Sequence, residues 1–149
     1  MFLLESSMCS SIKETKMEWH TVYDLSKDYV RVMQIQKASL ETEEYGFLPE
    51  IAAFGSIEWW KAVGDGRIPR FETTGVITRV NDASRGAWPV CEVSSDGGKT
   101  EWTRYGEDEL YQVGRRICIE YVYQRGKNSK TWKCVDDCQR VVLNVAIKY

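Results

Sequence analysis

Histidine is nearly missing from this chain: His20 is the only one in 149 residues. A Ser-His-Asp or Cys-His catalytic unit would have to use it. It sits in a strand-like run, Trp19–Tyr23, with no nucleophile motif beside it, so it reads as a structural or surface residue. No window of about 18 apolar residues exists, which excludes a membrane-spanning helix. The opening Met1-Phe-Leu-Leu-Glu5 is too short for a signal h-region and has no basic segment before it. Glycine-rich phosphate loops are absent too: Gly64, Gly66, Gly97 and Gly98 lie in turn contexts, not between a strand and a long helix. Nor does charge of one sign dominate. The net charge is -2; residues 1–70 carry 8 basic and 11 acidic side chains, residues 71–149 carry 12 and 11. Neither half has the basic field of a duplex-DNA binder, whose affinity rests on neutralising phosphates.

Cysteine is present but in an odd number: Cys9, Cys91, Cys118, Cys134 and Cys138. That count, without a signal peptide, argues against a disulfide scaffold and for reduced thiols in the cytoplasm. Cys134-x-x-x-Cys138 is half of a zinc pattern, but the second close-spaced pair that a structural site needs is missing. Acidic groups at Glu41/Glu43/Glu44, Glu107-Asp108-Glu109 and Asp136-Asp137 lack an EF-hand spacing and read as solvated loop charge. The expectation is therefore no catalytic residue, no metal and no cofactor.

What the chain does have is aromatics, with 6 Trp and 8 Tyr. Each buries a large area, so a core can form even from short strands. Residues 1–16 are Ser-rich and without period, and read as a disordered tail, with Met8 and Met17 as alternative starts; residues 17–149 read as one globular domain. Within it, 17–72 form an N-terminal elaboration and 73–149 a strand-rich body. Trp19–Tyr23 and Tyr29–Gln36 suit a hairpin joined by Asp24-Leu-Ser-Lys-Asp28; a helix over 26–37 is the alternative, since Val30, Met33 and Gln34 also fit a period of 3.6. Residues 39–55, interrupted by Pro49, should be extended. Residues 56–64 predict a two-turn helix with Ser56 as cap and Gly64 as terminator.

Beyond 73 the signals are strands. Gly75–Val80 and Trp88–Val93 come first, then Lys99–Tyr105 after the Ser95-Asp-Gly-Gly98 turn. A loop follows over 106–114, with a helical turn possible at 107–111. Arg115–Tyr123 should place Ile117, Ile119, Tyr121 and Tyr123 on one face. Thr131–Val135 suits a short strand, and the last strand should set Val141, Leu143, Val145 and Ile147 opposite Asn144 and Lys148. Short strands at this spacing favour a mainly β fold. With Gly-x-x-Ile-x-Ile-x-Tyr at Gly114–Tyr121, the chain resembles small closed β-barrels of the OB or SH3-like type, which says little about function.

Three functions remain. The first is a non-enzymatic module that binds another protein. Small cytosolic inhibitor, immunity or adaptor proteins have this profile of surplus Trp and Tyr without a catalytic constellation. Adjacent helical residues point about 100° apart. Trp59, on the side of Ala62 and Val63, should enter the core, leaving Trp60 with Ile57, and with Tyr45 and Phe47 of the preceding segment, as the partner-binding set. The alternative is a single-stranded nucleic-acid platform of Trp102, Arg104, Tyr121 and Arg125, aromatic faces interleaved with arginine. The third is an enzyme with an unrecognised carboxylate site.

Overall fold

A computed structural model describes residues 19–41, 47, 51–81, 88–106, 109–125 and 138–148, leaving aside the side chains of 125, 138 and 139. Six strands appear: β1 (Trp19–Asp24), β2 (Phe71–Val80), β3 (Val90–Ser95), β4 (Gly98–Thr103), β5 (Arg116–Arg125) and β6 (Cys138–Lys148). Two α-helices, α1 (Tyr29–Glu41) and α2 (Ile57–Asp65), precede β2, with a 3-10 turn over Leu25–Lys27. The tail at 1–16 and the strand at 131–135 fall outside the described residues, as does Tyr45.

The strands form one antiparallel sheet in the order β1-β6-β5-β2-β3-β4. The mainly β class stands, but the barrel does not close: β1 and β4 are the two ends of the order rather than neighbours. The reason is visible on β4. Lys99, Thr100 and Glu101 are all exposed, and only Trp102 is buried. Charged side chains on an end strand oppose further edge pairing. Glu101 instead meets Arg79 at 3.4 Å, and Lys99 approaches Glu92 at 3.8 Å. Alternation reports which face a residue occupies, not which strand lies next to it.

The chain divides into two compact units that interleave in sequence. The first contains β1, residues 72–120 and the end of β6 from 144. Here β1 runs antiparallel to β6, Trp19 opposite Lys148 and Asp24 opposite Asn144, with a register shift between Thr21 and Tyr23. β2, β3 and β4 form an antiparallel meander, and the predicted Asp96-Gly97 turn joins β3 to β4 through the Ser95–Gly98 pair. Ile77, Val93, Ile117, Ile119, Val145 and Ile147 make its core. Gly106 adopts φ 77, and a Cβ there would run into the Val22 carbonyl, so glycine is required on both counts.

β5 corrects the one-sided reading of its strand. Cys118 and Glu120 are buried along with Ile117 and Ile119, and further on Val122 and Gln124 are buried while Tyr123 is exposed. A strand with neighbours on both sides in a sheet can be covered on both faces, and its polar residues then go inside with it. β6 behaves alike: Val142 and Ala146 are buried together with Val141, Leu143, Val145 and Ile147. The thiols are corrected as well. Cys118 is disulfide-bonded, while Cys91 is free and buried. Separation along the sequence is no guide to the Cα approach that permits a bridge.

The second unit contains residues 25–71 and 121–143. Its first helix takes the place of the second strand of the expected hairpin, Tyr29–Gln36, in line with the alternative of a helix over 26–37. Asp28 caps α1: its Oδ1 accepts from Arg31 N at 3.2 Å and its carbonyl from Val32 N at 3.1 Å. The β-branched residues that suggested a strand are spread over both sides of the helix. Residues 39–41, expected to be extended, are its last turn. In the loop over 106–114, 109–110 and 113–114 are turns rather than helix, and 107–108 fall outside the described residues.

Candidate functional site

α2 is built as its sequence suggests. Ser56, at φ -72 and ψ 167, accepts from Trp59 N at 3.1 Å and donates to the Ala53 carbonyl at 2.7 Å. Glu58 lies in the first turn, where a carboxylate complements the helix dipole. The helix runs past Gly64 and ends instead at Gly66, left-handed at φ 89. Trp59, Ala62 and Val63 form the buried face. The Trp59 indole Nε1 donates to Gln124 Oε1 at 3.1 Å, so both buried polar groups are satisfied. Trp60 is half-buried and Ile57 is 74% exposed.

Around Trp59 runs a chain of ring contacts. Phe47 lies 5.3 Å from Phe54, Phe54 4.7 Å from Trp59, and Trp59 4.8 Å from Trp60, the last pair edge-on at 87°. Two members of the predicted partner-binding set, Phe47 and Trp60, are thus joined through buried Phe54 and Trp59. Phe47 N also donates to Ser39 Oγ at 2.9 Å, and Gln36 Nε2 to the Phe54 carbonyl at 3.2 Å, which ties α1 to the segment before α2.

The nucleic-acid set is distributed differently. Trp102 and Arg104 belong to the first unit, Tyr121 and Arg125 to the second. Trp102 is buried, its Nε1 donating to Thr100 Oγ1 at 2.8 Å, and a buried indole offers no face for a base to stack on. Arg104 is spent on the backbone: Nε donates to the Val90 carbonyl at 3.2 Å and Nη2 to the Asn81 carbonyl at 3.0 Å. Tyr121 stacks with Phe71 at 5.8 Å, and both touch Tyr123, at 5.6 and 5.3 Å. Arg125 lies at the end of β5.

Titratable groups give little to chemistry. Burial pushes the Cys91 thiol up to about 11, with Arg104 pulling the other way, so the thiol stays protonated and a poor nucleophile. Burial also raises the Tyr111 phenol well above its ordinary value, and its hydroxyl donates to the Tyr105 carbonyl at 2.8 Å. Among the described residues, no group of three or more His, Cys, Asp or Glu is gathered where a metal could sit. Cys134 and the Cys138 side chain, the half zinc pattern, fall outside the described residues and side chains. Among the described residues, no helix is long and apolar enough to cross a membrane.

Sequence reasoning missed one surface feature. α1 has no fully buried residue, and Tyr29, Val30, Met33 and Leu40 are exposed on it. The Asp28-x-x-Arg31 cap was the available signal for a helix there. No curated protein matches the chain. The family model described as immunity protein RhsI2 matches residues 16–148. That span takes in every described element from β1 to β6, and on it the chain belongs to the RhsI2 immunity protein family.

Proposed function

We propose that this protein is an immunity-type inhibitor, binding a protein toxin and silencing it by occupation rather than by chemistry of its own. The observation that carries the reading is the family match over residues 16–148. The surface features agree with it. Ile57 and Trp60 lie on α2 beside an aromatic chain that reaches Phe47, the residue types that anchor interfaces. In this reading Trp60 and Ile57 are anchors, Phe47 borders them, and Trp59 holds the helix in place from within.

Calorimetric titration with the purified toxin against which RhsI2-family proteins confer immunity tests the assignment. Trp60→Ala should weaken binding by about 2 kcal/mol or more, as hot-spot truncation does, while the fold is retained. Unchanged affinity for both Trp60→Ala and Ile57→Ala would remove α2 from the interface. A wild-type chain that does not bind the toxin at all would refute the function itself.

A further inference from the structure

We infer that the outer stripe of α1 is a second toxin-binding element, laid into an apolar groove that carries a carboxylate opposite Lys37. The inference rests on the immunity reading above and adds a surface to it. At about 100° per residue, Tyr29, Met33 and Leu40 fall within about 40° of one another, with Lys37 and Val30 alongside. The stripe runs about 16 Å along the helix. Its members are exposed by 70% (Tyr29), 66% (Val30), 64% (Met33) and 82% (Leu40).

The opposite side of α1 already serves the fold. Val32, Ile35, Ala38 and Ser39 are half-buried there, and Gln36 is bonded to the Phe54 carbonyl. A helix that needed only this attachment would be polar outside; α1 is apolar on both sides. Four large apolar side chains this exposed on one helix are more than the singly scattered hydrophobics of an ordinary surface.

Charge selects the occupant. Lys37 is exposed within the stripe and has no ion pair with any described residue. Covering the stripe desolvates this ammonium, which is costly without a counter-charge. A second copy of α1 supplies none at mid-stripe, because the helix's one carboxylate, Glu41, is its last residue. A different protein with an acidic residue in an apolar groove satisfies both requirements, in the manner of helix-in-groove recognition.

The test uses the full chain and the same purified toxin. Met33→Glu combined with Leu40→Lys replaces exposed residues by good helix formers, so thermal unfolding should stay within a few degrees of wild type. Binding should weaken by about 30-fold or more. Lys37→Glu should weaken it too, and flatten its dependence on salt. Hydrogen exchange on the wild-type chain gives a readout that needs no variant: α1 amides should gain protection when toxin is added. Wild-type binding with no loss in the double variant, or with no protection of α1, overturns this inference and leaves the function intact. Failure of the wild-type chain to bind refutes the underlying reading instead. A wild-type dimer that the double variant dissociates would assign the stripe to a second copy and overturn the inference as well.

Discussion

Trp59 and Trp60 are neighbours in the chain with opposite duties. Trp59 is buried against Phe54 and hydrogen-bonded to Gln124, so Trp59→Ala empties a large site and removes the indole donor to the Gln124 oxygen. Urea denaturation should show a loss of about 3–5 kcal/mol, and Trp60→Ala should cost far less. Gly106 is a second residue whose role can be isolated. At φ 77, with the Val22 carbonyl where a Cβ would go, Gly106→Ala meets both strain and collision. It should lower stability by about 1–3 kcal/mol or more, whereas Gly97→Ala, with open space around it, should change little on steric grounds. Cys91 supplies a test in pH. Its thiol titrates near 11 in the folded chain against an ordinary 9.0. The unfolded chain therefore loses its proton first on the way up. The thiol's contribution to stability is complete below about pH 9 and falls away as pH rises toward 11. Cys91→Ala should flatten the stability profile across that window, and native Cys91 should resist thiol reagents at neutral pH until the chain unfolds.

At the scale of elements, β5 and β6 are the strands whose truncation should hurt most. Ile119 and Leu143 are both buried, and either change to Ala should cost about 2–5 kcal/mol in the same unfolding assay. Glu120, which simple alternation sends to the surface, is buried, so Glu120→Gln should lower stability in the same assay. These elements also show how far the sequence can be read. The α2 helix was legible because its signals are local: Ser56 caps it, Glu58 follows, and Ala62 and Val63 mark the face of Trp59. Its end was misplaced by two residues because Gly64 and Gly66 are chemically alike, and only the backbone angle tells them apart. The α1 helix was harder. Val30, Val32 and Ile35 favour a strand by type, and a helix apolar on two sides lacks the single stripe that period-reading seeks. The two-sided burial of β5 depends on β6 and β2 lying beside it, pairings between residues far apart in the chain.

For the whole molecule, the mainly β class followed from strand spacing, but closure did not, because it depends on whether β1 and β4 meet. For the candidate site the sequence supplies residue types and not an interface: Phe47 and Trp60 fall in one run of ring contacts with Phe54 and Trp59, and the outer stripe of α1 depends on residues 29–41 being helical. Binding by occupation and catalysis of the toxin's inactivation differ in one countable quantity. Toxin activity, followed at fixed toxin concentration well above the dissociation constant while this chain is added, should fall linearly and reach zero at a fixed stoichiometric ratio, independent of incubation time. Inactivation that continues with time at a small fraction of that ratio would mean turnover, and would contradict the account.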